Sequence, residues 1–121
     1  STGKEIFNIR FIPKQLLKRP SHDILATLTE LTAICIAKSI HSLKQSPQEV
    51  IVCGGGLKNN FLVSSIERHI NMTLTASDQY GINPQAIEAM AFGWMARQRL
   101  NKNPLTVKKN KGLLGTLTKA R

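Results

Sequence analysis

The stretch Glu49-Val50-Ile51-Val52-Cys53-Gly54-Gly55-Gly56-Leu57-Lys58-Asn59-Asn60 decides how the rest of the chain reads. Val50, Ile51, Val52 and Cys53 follow Glu49 without a polar break, which predicts a short strand buried on both faces. Gly54, Gly55 and Gly56 end it, and a backbone without Cβ atoms can turn sharply there, take positive φ and approach a ligand closely. The next segment is amphipathic, with Phe61, Leu62, Ile66 and Ile70 apolar and Glu67, Arg68 and His69 between them. The order is strand, glycine turn, helix. Amides at such a helix start are unpaired and the helix dipole is positive there, so a phosphate fits. The same glycines also serve a tight turn by geometry alone, and the run by itself does not separate the two readings. It is not a dinucleotide fingerprint, because Asn59 stands where a third spaced glycine would allow close helix–strand packing. No Gly-Lys-Ser/Thr follows it, so it is not a Walker-type phosphate loop either.

Outward from this stretch, Ile24, Leu28, Leu31 and Cys35, widened by Leu25, Ile36, Ile40 and Leu43, predict a core helix over residues 21–45. Ser21 is the expected cap, Asp23 suits the first turn, and Ser46-Pro47 stops the helix. Thr27, Thr29 and Thr32 weaken its intrinsic propensity, so packing must hold it. Residues 1–20 read as a connector, with a short strand or turn near Ile6-Phe7-Asn8-Ile9 and one helical turn over residues 14–18. Met72-Thr73-Leu74-Thr75 alternates as a strand beside the first, and residues 76–83 read as a polar loop. Asn83-Pro84 opens a last helix over residues 84–100, with Asn83 as cap, and with Ile87, Met90, Ala91 and Trp94 in one stripe. Glu88 is the only acid in that helix. Spacing alone favours a solvent-facing Glu88 near the helix start over a carboxylate aimed into a cleft.

With 121 residues and 41% hydrophobic content, the chain fits one domain with an ordinary core. It opens on Ser1-Thr2-Gly3 without Met, which reads as a piece of a longer protein or a processed form. No apolar run reaches the roughly 18–20 residues of a bilayer span. The best candidate, residues 31–40, is broken by Thr32, Lys38 and Ser39, so a soluble protein is expected. Cys35 and Cys53 lie outside any Cys-x-x-Cys pair and read as two buried, reduced thiols. His22, His41 and His69 read as isolated surface or helix-end residues. Lys and Arg number 17 against 7 acids, a net +10, and no acid follows Glu88 while Arg97, Arg99, Lys102, Lys108, Lys109, Lys111, Lys119 and Arg121 do. Such a tail suits phosphate contacts with nucleic acid. It has no interleaved aromatics and no named nucleic-acid fold signature, so a small basic nucleic-acid-binding α/β module stands as the alternative reading.

In combination the pieces resemble the C-terminal part of the anhydro-N-acetylmuramic acid kinase family, within the actin and hexokinase superfamily of sugar kinases. The resemblance is carried by Ser1-Thr2-Gly3-Lys4-Glu5 with Phe7, by Ala26-Thr27-Leu28-Thr29-Glu30-Leu31-Thr32-Ala33, by Val52-Cys53-Gly54-Gly55-Gly56 with Asn59, and by Gly81-Ile82-Asn83-Pro84 leading into Glu88-Ala89-Met90-Ala91-Phe92. Departures are Lys4, where the family usually has Arg, and the basic tail, which matches poorly beyond Leu100. The resemblance implies an α/β fragment of an actin/hexokinase-like (ribonuclease H-like) ATPase domain, with short strands packed on three main helices. Its expected organisation is a connector over 1–20, a nucleotide-binding subdomain over 21–100 and a basic tail over 101–121. It implies an ATP- and Mg2+-dependent kinase converting 1,6-anhydro-N-acetylmuramic acid to N-acetylmuramic acid 6-phosphate in cell-wall recycling, cytoplasmic, without membrane or nucleic acid, and dimeric as the full protein. By position, Gly54, Gly55, Gly56 and Asn59 would line the nucleotide pocket and Glu88 would bind the sugar, which reverses the reading from spacing. The family's catalytic aspartate lies in a missing N-terminal domain, so this chain alone is expected to be inactive.

Overall fold

A computed structural model describes residues 5–107 and 110–112. Among them are three α-helices, α1 (Ser21–His41), α2 (Asn60–Ile70) and α3 (Ile87–Leu100), and four short strands, β1 (Val50–Val52), β2 (Leu74–Ala76), β3 (Leu105–Val107) and β4 (Asn110–Gly112). β1 and β2 pair in parallel, joined by a crossover through α2, and this makes the chain an α/β protein.

By their contacts the residues fall into two units. The first holds residues up to Val50 together with Gly56–Leu74, so it contains α1 and α2. Those two helices pack on each other around Ala33, Ala37, Ser65 and Ile66, all buried. The threonines that weaken α1 are accommodated by back-bonding, since Thr27, Thr29 and Thr32 each donate their hydroxyl to the carbonyl four residues earlier. Ser21 is not the cap. Pro20 takes that position in an extended conformation and Ser21 is the first helical residue. The helix ends at His41, a few residues short of the expected boundary. Of the strand or turn expected near Ile6 the structure has the turn, at Glu5-Ile6, followed by two 3-10 turns, Ile9–Phe11 and Leu16–Lys18, the second within the helical turn expected over residues 14–18.

α2 is bounded by local chemistry at both ends. Asn59 is its N-cap, its side-chain oxygen accepting from the Leu62 amide at 3.1 Å. Asn71 closes it in the left-handed conformation, φ 53°, as Asn tolerates. Asn59→Ala should therefore cost about 1 kcal/mol, read as a lower urea midpoint at unchanged slope.

The second unit holds Ile51–Gly55 and the residues from Thr75 onward. Asn83 caps a turn and not a helix: its side chain accepts from the Gln85 amide and its carbonyl from the Ala86 amide. α3 begins only at Ile87, with Ala86 as its cap residue. Within the basic tail, for which the sequence suggests no strand, Leu105–Val107 and Asn110–Gly112 form an antiparallel ladder, with Leu105 opposite Gly112, Thr106 opposite Lys111 and Val107 opposite Asn110. The sequence would also allow Gly112-Leu113-Leu114-Gly115 to dock as a final short segment, but residues 113–115 lie outside the described residues.

The expectation of an ordinary core fails. Among the described residues the buried apolar set is Ala33, Ala37 and Ile66, and no large side chain is fully buried. Ile51, expected inside a strand covered on both faces, is 53% exposed. α3 has no buried residue, and Trp94 in its apolar stripe is 54% exposed. Cys35 and Cys53 are unpaired, as expected, but exposed. The bilayer expectation also changes, because α1 is long and apolar enough to cross a membrane by length and composition, with a mean hydropathy of 1.3 over its best window. Its middle carries Glu30 in an ion pair with α2, an arrangement costly in a lipid core.

Candidate functional site

The glycine turn is where the chain leaves β1. Gly54 takes φ +88°, a conformation that only glycine adopts without strain, and its amide donates to the Pro84 carbonyl at 2.9 Å. That bond ties the turn to the segment that leads into α3 and Glu88, all within the second unit. A Cβ at Gly54 or Gly55 would meet nothing within 4 Å. At Gly56 it would touch Leu62 Cδ2 at 3.5 Å, an ordinary contact. Among the described residues, then, no side chain beyond the chain neighbours fills the space at Gly54 or Gly55. A 3-10 turn, Gly55–Lys58, carries the chain to Asn59 and into α2.

The structure distributes the candidate residues between the units. Gly54, Gly55 and Glu88 lie in the second, Gly56 and Asn59 in the first. Asn59 Oδ1 is engaged as the α2 cap, and the Gly54 amide is engaged by Pro84. Any phosphate at this corner would have to use other donors. Glu88 sits exposed in the first turn of α3, where the helix dipole favours a negative charge.

The sequence reading missed a charged clamp in the first unit. Glu30 Oε1, on α1, accepts from Arg68 Nη2 at 2.7 Å and lies 2.6 Å from His69 Nε2, both on α2. His41 Nε2 lies 3.1 Å from the His69 carbonyl, and Glu67 Oε1 accepts from the Leu74 amide at 2.9 Å. His69 is thus a paired residue and not an isolated one. Glu30 and its partners are 38 and 39 positions apart, so no local pattern links them. The available signal was an acid set among the apolar residues of a helix, which needs a partner when it packs.

The hydrogen bond from His69, then the Ser65 hydroxyl and the Arg68 charge, hold the Glu30 carboxyl below its ordinary range against a smaller opposing effect of burial. A carboxylate whose pKa is lower folded than unfolded contributes stability above its unfolded pKa and loses it as pH falls through the folded value. Glu30→Gln should lower the melting temperature at about pH 7 and converge with the parent chain near pH ~3, read by circular dichroism. Parallel curves across that range would show that the clamp carries no charge-dependent stability.

Comparison with known proteins bears on the family of the whole chain. The family model for anhydro-N-acetylmuramic acid kinase matches residues 1–118, so the match extends into the basic tail, where a poor fit was expected beyond Leu100. A protein of that name from a gamma-proteobacterium, EBAC31A08, is 41% identical over all of this chain, which covers 34% of it. One from Hahella chejuensis is 41% identical over 86% of the chain and 29% of its own length. One from Xylella fastidiosa is 39% identical over 86% of the chain and 28% of its length. The chain spans about a third of the length of these curated relatives. On a match that runs almost end to end, the chain belongs to the anhydro-N-acetylmuramic acid kinase family.

Proposed function

We propose that the chain is the C-terminal, nucleotide-binding part of an ATP-dependent kinase that converts 1,6-anhydro-N-acetylmuramic acid to N-acetylmuramic acid 6-phosphate during cell-wall recycling. The supporting observation is the unobstructed glycine corner at the end of β1, in a chain of this family. A backbone corner free of Cβ atoms lets a nucleotide approach closely, so the residues present fit that group. The described residues hold no cluster of three or more His, Cys, Asp or Glu side chains, so Mg2+ would arrive on the phosphates, as it commonly does with one or two carboxylates at most. ATP supplies the phosphoryl group. In this reading Gly55 and Gly56 leave room for the nucleotide, Asn59 fixes the start of α2, and Glu88 accepts hydrogen bonds from the sugar. The aspartate that activates water at the anomeric carbon belongs to the N-terminal domain of the full protein, as the family resemblance implies. The full protein is then a cytoplasmic homodimer. In this reading the basic residues 97–121 do not serve as a nucleic-acid site.

Thermal melting with millimolar Mg·ADP tests the reading, because a ligand that binds only the folded state raises the midpoint by mass action. The full-length kinase should gain several degrees, while the 121-residue chain shows a small shift and no phosphorylation of the anhydro-sugar. No shift in the full-length kinase would remove the nucleotide site from this corner. Salt-sensitive retention of the chain on duplex DNA, lost when Lys108, Lys109 and Lys111 become Ala, would favour the nucleic-acid alternative.

A further inference from the structure

We infer that the apolar groove between the N-terminal 3-10 turn and α1 is the seat of an apolar segment from the two thirds of the kinase that lies outside these 121 residues. The groove encloses about 490 Å³ and is lined by Phe7, Phe11, Ile12, Leu28, Leu31 and Cys35, with Asn8 and Thr32 as its polar members. Phe7 and Phe11 stack edge to face at 5.2 Å, which holds one wall in place. Phe7 remains 57% exposed and Phe11 43% exposed. Aromatic and aliphatic walls left open in this way bury their surface in whatever completes the fold.

Length and charge select the occupant. This chain is about a third of its relatives' length, so most of the surface able to cover the groove belongs to the rest of the polypeptide. The lining has no charged side chain, so the segment it takes is apolar and uncharged along its contact face. The inference rests on the reading of the chain as part of a longer kinase.

Cys35 reports on the groove directly, because it lines the groove and is exposed in this chain. Its alkylation by iodoacetamide, followed by mass spectrometry, should be at least about 10-fold slower in the full-length kinase than in the 121-residue chain. Leu31→Asp in the full-length kinase should lower its melting temperature by roughly 10 °C and restore rapid labelling, while Phe11→Ala, a milder change, raises the labelling rate with the circular dichroism spectrum kept. Equal Cys35 rates in both proteins, or a full-length kinase indifferent to Leu31→Asp, would overturn the proposal. Protection that disappears on dilution from dimer to monomer would overturn it in favour of a second copy. Kinase activity separates the two readings: an active enzyme with an open Cys35 refutes the docking alone, and an inactive one with a protected Cys35 refutes the function alone.

Discussion

Gly55→Val in the full-length kinase leaves the fold intact and weakens Mg·ADP binding by about tenfold or more, ~1.4 kcal/mol. The structure separates the roles of neighbouring glycines. Gly55 does not require the left-handed region and a Cβ there meets open space, so valine is accepted by the chain and its branches enter the room that the proposed function gives to the nucleotide. Gly54 is the opposite case, because φ +88° strains any other residue. Gly54→Ala should cost about 1–2 kcal/mol of stability. It would also strain the Pro84 bond that aligns the turn with the approach to α3. Calorimetric ADP titration beside urea unfolding distinguishes the two variants. If Gly55→Val loses stability and keeps its affinity, the corner is a structural turn and nothing more.

Glu88→Ala in the full-length kinase lowers kcat/KM for the anhydro-sugar by about 10- to 100-fold, the scale of one hydrogen bond to a charged group, with ADP affinity unchanged. Stability should move little, since Glu88 is exposed and in the first turn of α3, where its dipole interaction is worth roughly 0.3–1 kcal/mol. Steady-state kinetics with each substrate varied in turn gives the comparison. Parallel losses for sugar and nucleotide would make Glu88 a structural residue and return the site to other side chains.

The legible parts of this protein are those governed by neighbours in sequence. The strand, glycine turn and helix around Gly54 stand where the pattern put them, because hydrophobic runs, missing Cβ atoms and the Asn59 cap act over a few residues. The start of α3 did not follow the pattern: Asn83 caps a single turn, and the regular helix begins only at Ile87. The Glu30 clamp was illegible, because its partners meet only once α1 and α2 pack.

By itself the sequence determined the family motifs, the order of β1, α2, β2 and the flanking helices, and the position of the glycine turn, all set by backbone freedom and local periodicity. Tertiary structure alone decided that Gly54 and not Gly55 needs its glycine, that His69 is paired, and that Trp94, Phe7 and Cys35 remain uncovered. The physical reason is that burial and ion pairing depend on what lies across space, and this chain spans only about a third of the length of its curated relatives.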